Sequence, residues 1–270
     1  MVIIATKICD VKGHGESMAT PESESFVRTF ARGIAVIEAM GRGATHQTLG
    51  EIADSVGLPR TAVRRFLMTL IELSFVKSDG KQYWLTPRVL RLGLSYLGTL
   101  PYWREAQVAL EELCTRIKQS CALSVLDGED IVYIQRQHSK RILPMSPTLG
   151  SRLPAHAVSM GRVMLAGLPD DELNHYLETA TLKHLTGATV MDKTVLRERI
   201  LAARSDGYSW IDGELDDSIC GLAVPVRDKD GLTIAAVNVS LPTGQFDQKT
   251  AVQRYLGELR LAASQLRAAS

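Results

Sequence analysis

From Phe26 onward, apolar residues recur every three or four positions (Phe26, Phe30, Ile34, Ile37, Met40), and Gly41-Arg42-Gly43 then breaks the pattern. That period predicts a helix with one buried stripe, for which Ser25 is a candidate N-cap. A shorter stripe follows (Leu49, Ile52, Ala53, Val56), opened by Thr48 and Glu51 in T-x-x-E spacing and closed by Gly57. The hydroxyl and carboxylate of such a capping box satisfy amides at a helix start, and glycine takes the left-handed conformation at its end. Leu58-Pro59 turns the chain into a third stripe (Val63, Phe66, Leu67, Leu70, Ile71), with Arg60, Arg64 and Met68 on another side, flanked by Thr61 and Arg65. Phe75-Val76-Lys77 and Tyr83-Trp84-Leu85 read as strands paired around Asp79-Gly80. A short helix, a tight turn, an arginine-bearing helix and a hairpin predict a winged helix-turn-helix over residues 25–85.

Thr86-Pro87 supplies an N-cap and first-turn proline for a linker helix over residues 86–100. Val89, Leu90, Leu94 and Leu97, with Leu92, Tyr96 and Leu100 on other sides, exceed what one buried face needs. Such a helix calls for a cover, most simply its copy in a dimer. Beyond Pro101 the pattern switches between periods. Helices are expected at 103–118, 155–166, 170–178, 193–205 and from 248 onward, and strands at 122–126, 131–135, 208–211, 222–227 and 233–240. Hairpins with helices on their faces predict an α+β domain over residues 101–270 rather than a doubly wound sheet. Residues 1–24 show no periodicity and are expected to form a disordered arm.

Composition narrows the classes. With 270 residues, 45% hydrophobic and 23% charged, the chain reads as two globular domains rather than a fibrous or disordered polymer. The net charge of +1 conceals an asymmetry: residues 25–91 carry ten Lys/Arg, eight of them Arg, against five Asp/Glu. A basic module beside a near-neutral one suits nucleic-acid binding joined to another task. Four cysteines without a CxxC pair argue against a disulfide framework or zinc ribbon and for a reducing, cytoplasmic location. No apolar run reaches the length of a membrane helix, and no export signal is recognisable, so no membrane partner is expected.

For the basic module, Arg60, Thr61, Arg64 and Arg65 are expected in the major groove, where an arginine fork takes guanine O6 and N7 together. Arg28, Lys77 and Lys81 would meet phosphates, and Thr48 joins the DNA-facing set. A solvated helix face beside a small core is the plainer alternative. For the larger module no HExxH, P-loop or strand-GxGxxG-helix pattern is present, and Gly93-Leu94-Ser95-Tyr96-Leu97-Gly98 is not a nucleophile elbow. No catalytic residue, metal site or cofactor is expected. His156, His175 and His184 stand without ligand spacing, and Cys114, Cys121 and Cys220 read as inert thiols. Asn238 and Ser240 point to one side of a strand, and Ser159-Met160-Gly161 within a helix begun near Ala155 offers amides for an anion. Met145, Leu153 and Asp212 are candidates to line the same space. The alternative is a polar, wetted strand face.

These residues resemble the IclR-type transcriptional regulators over about residues 25–270. The resemblance rests on Ser25-Phe26-Val27-Arg28, Arg32-Gly33-Ile34-Ala35-Val36-Ile37-Glu38, Glu51-Ile52-Ala53 and Gly57-Leu58-Pro59-Arg60-Thr61-Ala62. In the second half it rests on Leu153-Pro154-Ala155-His156-Ala157, Gly161-Arg162-Val163-Met164-Leu165-Ala166, Asp212 with Glu214, and Ala223-Val224-Pro225. Within that family, Thr86-Pro87-Arg88-Val89-Leu90-Arg91-Leu92-Gly93, Ser120-Cys121, Val125-Leu126-Asp127-Gly128 and Ile131-Val132-Tyr133 are most similar to regulators of protocatechuate and β-ketoadipate catabolism. The resemblance implies a GAF/profilin-like α+β effector domain, a homodimer or homotetramer on palindromic double-stranded DNA, and a small carboxylate effector: an aromatic acid or its ring-cleaved dicarboxylate. It implies an effector site at Ser159, Met160, Asp212, Gly221, Asn238 and Ser240, lined by Ile142, Met145 and Leu153. Gly221 stands where the family usually shows Cys or Ser, Ser218 where it shows Gly, and Ser74 at the usual glycine after the recognition helix. The competing readings are an enzyme of aromatic acids with a DNA-binding arm, and a repressor without an effector.

Overall fold

Helix α1 (Arg28–Arg42) forms as expected and begins behind Val27, which gives no side-chain cap, but its buried face is Val36, Ala39 and Met40. Of the predicted stripe Met40 is buried, Ile34 and Ile37 are half-buried, and Phe26 and Phe30 are exposed. A two-residue strand β1 (Gln47–Thr48) leads into α2 (Leu49–Val56). Thr48 and Glu51 make the complete capping box, and Gly57, at φ 64°, ends α2 in the left-handed conformation. Helix α3 (Arg60–Glu72) buries Val63, Leu67 and Leu70. Strands β2 (Val76–Ser78) and β3 (Gln82–Leu85) form the hairpin, whose Asp79 carboxylate accepts from the amides of Lys81 and Gln82 at 2.9 and 2.8 Å. The sheet order β1-β3-β2 makes this a three-stranded wing, with β1 too short to show a period. A turn of 3-10 helix (Pro87–Val89), capped by Thr86, precedes α4 (Leu90–Leu97).

This computed structural model describes residues 26–139 and 147–268, and the chain divides into two compact units between Tyr96 and Leu97. The expected arm at 1–24 and Ser25 lie outside the described residues. Val36, Met40, Ile52, Ala53, Val63, Leu67, Leu70 and Val76 form the core of the first unit. Ser74 follows α3 at φ 62°, a left-handed position that costs a side chain and that glycine fills freely.

The second unit is built on a six-stranded antiparallel sheet. Helix α5 (Trp103–Ile117) leads to β4 (Ser120–Asp127) and β5 (Asp130–Gln137). Strand β6 (Arg152–Pro154) precedes a 3-10 turn (Ala155–Ala157), α6 (Ser159–Ala166), α7 (Asp170–Thr179) and α8 (Lys193–Asp206). Strands β7 (Ser209–Asp212), β8 (Ile219–Arg227) and β9 (Thr233–Pro242) are followed by α9 (Gln248–Ala268), giving the order β6-β5-β4-β9-β8-β7.

Each face of the sheet has its own core. Leu123, Val237, Val239, Leu222 and Val224 pack with Leu110 and Leu113 of α5 and with Tyr255 and Leu259 of α9. Ala122, Ala223 and Ala236, smaller residues one step out of phase, pack with α6, α7 and α8 through Met160, Val163, Leu173, Leu196 and Ile200. The α+β architecture therefore stands, with two corrections. Strand β6 is an addition, and the helix expected from Ala155 breaks at Val158, whose φ −131° and ψ 144° are extended, so α6 begins at Ser159.

Candidate functional site

The first candidate surface is α3. Its buried positions cluster on one side, leaving Thr61, Arg64, Arg65, Met68, Thr69 and Glu72 on the solvent side, with Arg60 exposed at its first turn. Thr69 returns its hydroxyl to the Arg65 carbonyl at 3.1 Å. The guanidinium of Arg60 lies over Gly50 of α2, where an added Cβ would come within 3.0 Å of Nη2. Lys77 on β2 and Lys81 in the wing turn are exposed, as is Arg28 at the start of α1. Thr48 differs: its hydroxyl accepts from the Glu51 amide at 3.3 Å and donates to the Glu51 carboxylate at 2.9 Å, so it is engaged in the capping box. The Thr48 backbone amide, which donates to the Glu51 carboxylate at 2.7 Å, and then the Thr48 hydroxyl hold the Glu51 carboxyl below the usual carboxylate range.

The second candidate site lies where α6 meets the sheet. Register pairs Ser240 with both Ser120 and Gly221, and Asn238 with both Ala122 and Ala223. Paired residues share a face, so Ser120, Gly221, Asn238 and Ser240 all point to the side covered by α6. Ser124, further along β4, joins them and donates to the Met160 sulfur at 3.2 Å. Because α6 begins at Ser159, its first-turn amides are those of Ser159, Met160 and Gly161, which lack helical acceptors and carry the positive end of the helix dipole. Ser159, Asn238 and Ser240 are all buried. Asn238 Nδ2 donates to Ser240 Oγ at 3.2 Å, while its Oδ1 has no hydrogen-bond partner. Since Ser240 can also donate, a half-turn of the amide would present Nδ2 instead, and the open end suits a donor or an acceptor.

Two glycines shape this corner. A Cβ at Gly161 would overlap the Ala155 carbonyl, so α6 can lie against the preceding 3-10 turn only with glycine there. A Cβ at Gly221 would stand 3.0 Å from Ser159 Oγ, so glycine leaves open the space beside that hydroxyl.

Behind α6 lies a buried ion pair. Arg162 Nη2 donates to Glu214 Oε2 at 2.5 Å, with side chains 3% and 10% exposed, and its Nε donates to the His156 carbonyl at 3.1 Å. The same carboxylate oxygen accepts from the Val190 amide at 3.3 Å, and the Glu214 carbonyl accepts from Thr189 Oγ1 at 2.7 Å. Buried His156 has its Nε2 3.1 Å from the Lys183 carbonyl and 3.3 Å from the Lys183 amide, and burial holds its pKa below the usual value. The network fixes α6 to the segments at 183–190 and 213–214. Arg162 and Glu214 are 52 positions apart, so no local pattern announces the pair.

The structure thus gathers Ser159, Met160, Gly161, Gly221, Asn238 and Ser240. Leu153 pairs with Ile131 on β5 and packs into the same core as Met160. Asp212 does not join them. It pairs with Cys220, one residue out of phase with Gly221, and its carboxylate accepts from Thr243 Oγ1 at 3.1 Å. Ile142 and Met145 lie outside the described residues. Ser120 and Ser124 were not anticipated, although their alternation with Cys121 and Leu123 is the signal that would have found them. Burial pushes the Cys220 thiol up to about 12 and Cys121 higher still, which disfavours thiolate at neutral pH. Among the described residues no group of three or more His, Cys, Asp or Glu is placed to hold a metal ion.

Comparison with known proteins gives the family. Residues 29–80 match the IclR helix-turn-helix domain, and residues 94–268 match the bacterial transcriptional regulator IclR C-terminal domain. The Pca regulon regulatory protein of Pseudomonas putida is 39% identical over 240 residues, covering 88% of this chain and 82% of its own. A crystallised transcriptional regulator from Rhodococcus sp. RHA1 is 42% identical with a TM-score of 0.79, covering 90% of this chain and 98% of its own. The inducer-binding domain of a double mutant of PobR from Acinetobacter, in complex with 3-hydroxybenzoic acid, is 33% identical with a TM-score of 0.56, covering 61% of this chain and 96% of its own.

Proposed function

The chain belongs to the IclR family of bacterial transcriptional regulators, and from that premise we propose that it senses a hydroxylated aromatic carboxylate and controls genes for aromatic catabolism. It is a DNA-binding regulator and not an enzyme. No described helix is long and apolar enough to cross a membrane, and we assign the protein to the cytoplasm.

The observation that carries the effector reading is the buried group of Ser159, Asn238 and Ser240 at the start of α6, with one end of the Asn238 amide left open. A carboxylate there would accept from the first-turn amides and the Ser159 hydroxyl. A ring hydroxyl, being donor and acceptor at once, would meet the Asn238 amide in either orientation. Gly221 leaves room beside Ser159 for the ring. The 3-hydroxybenzoate of the PobR domain is a molecule of this class.

On the DNA side, Arg60, Thr61, Arg64 and Arg65 read base edges, and Arg28, Lys77 and Lys81 hold phosphates. Thr48 contributes by fixing the start of α2. Leu90, Leu92, Leu94 and Tyr96 of α4 are exposed in the single chain, and a second copy covering them gives the homodimer, or a tetramer of two such pairs, that a palindromic operator requires. An effector that shifts the arrangement of the paired DNA-binding units needs a coupling of about 1–3 kcal/mol.

The test is calorimetric titration of the full chain with protocatechuate, 3-hydroxybenzoate, 4-hydroxybenzoate and β-ketoadipate, beside Asn238→Leu and Ser159→Ala. A hydroxybenzoate should bind, raise the melting temperature, and lose about tenfold or more in affinity in each variant. Binding of β-ketoadipate alone would replace the aromatic effector by a dicarboxylate, and undiminished binding to both variants would move the site elsewhere.

A further inference from the structure

Helix α3 carries one exposed large apolar side chain among its described residues. Met68 is 54% exposed, while Val63, Leu67 and Leu70 are buried and Phe66 and Ile71 are partly covered. At 100° per residue, Met68 falls between Arg64 and Arg65, one turn further along the helix, and within 20° of Thr61. It therefore stands in the middle of the solvent side, opposite the buried stripe. The guanidiniums around it make the surface complementary to nucleic acid, and no core needs a methionine there.

B-DNA offers one apolar group to a helix in the major groove, the 5-methyl of thymine. A methionine suits that group: it is long, unbranched and polarisable, and it adapts to an irregular apolar surface. Resting on the DNA-binding role of α3, we infer that Met68 is a specificity residue that packs on a thymine methyl in each half-site, while the arginines beside it take guanine edges and phosphates. The residue fixes A·T against the other pairs at a position where no hydrogen bond from Arg60, Arg64 or Arg65 reaches.

The thymine methyl can be deleted without touching the protein. A duplex selected from a random pool by the wild-type chain is resynthesised with deoxyuridine at each thymine in turn, and binding is measured for wild type and for Met68→Ala at fixed salt. Replacement at one thymine per half-site should weaken wild-type binding about fourfold, the effect of one methyl group removed from an apolar contact. Met68→Ala should lose at least as much on thymine DNA and lose nothing further on the uracil duplex. Its melting temperature should match wild type, since the side chain is exposed. The inference is overturned if wild type is indifferent to deoxyuridine at every position, or if Met68→Ala responds to it as wild type does. It is equally overturned if the substitution changes only the concentration dependence of self-association, which would make Met68 a contact between copies. Failure of the wild type to select any sequence would instead remove the DNA-binding reading on which the inference rests.

Discussion

Replacing Glu214 by glutamine keeps the shape of the side chain and removes its charge, leaving the Arg162 guanidinium buried without a counter-charge. Both groups are almost wholly out of solvent, and the bond between them is 2.5 Å. Breaking such a pair by removing one partner costs about 3–5 kcal/mol, most of it the burial of the remaining charge. In a unit of this size each kcal/mol moves the melting temperature by about 2–4 °C, so Glu214→Gln should lower the transition by about 6–20 °C. Replacing both partners, Arg162→Met with Glu214→Leu, removes the orphaned charge. It still strands the Val190 amide and the His156 carbonyl, at about 1–3 kcal/mol each, so recovery should be partial. Scanning calorimetry of the whole chain reads the effect, with Thr48→Ala, which weakens the α2 cap by about 0.5–2 kcal/mol, marking the transition of the DNA-binding unit. Displacement of the effector-unit transition by less than about 2 °C, or a double variant equal to the sum of the singles, would refute the buried-pair account.

Two further perturbations probe the same corner. Gly161→Ala should destabilise by about 1–3 kcal/mol or more and weaken effector binding, because the new Cβ meets the Ala155 backbone. Gly257→Ala, on an exposed stretch of α9 with open space, should stabilise by about 0.5–1 kcal/mol; equal melting shifts in the two variants would contradict the close-approach argument. His156, held neutral by burial, has a folded pKa below the unfolded value near 6.5, so its contribution is full above about pH 6.5 and is lost as pH falls. The melting temperature of wild type should therefore drop more steeply between pH 7.5 and 5.5 than that of His156→Gln, and parallel pH profiles would refute it.

What could be read from the chain was what repeats within a few residues. The stripes of α1, α2 and α3, the Thr48 box, the Asp79-Gly80 turn and the alternation of β8 and β9 are local patterns, and the elements follow them. Strands β1 and β6, of two and three residues, carry no period and exist through their partners β3 and β5. The break at Val158 was hidden by apolar residues on both sides, yet it gives Ser159 its place at the helix start. Asp212 shows the limit of reading one strand at a time: the resemblance put it in the site, but its face depends on register with β8, and one residue of phase turns it away from Gly221. The Arg162–Glu214 pair was equally out of reach, since its partners meet only after three intervening elements have packed.

The pleat of the central sheet separates the residues of the proposed effector site from those of the opposite hydrophobic layer. Through residues 120–125 of β4, 220–226 of β8 and 235–241 of β9, the residues that carry the aliphatic core with α5 and α9 alternate with those that face α6, so neighbouring positions belong to different tasks. On the proposed effector site, a substitution at Gly221, Asn238 or Ser240 would alter what the α6 side recognises while Leu222, Val237 and Val239 hold the opposite layer. If that site is the effector's, specificity and the opposite hydrophobic layer are carried by different residues of the same strands.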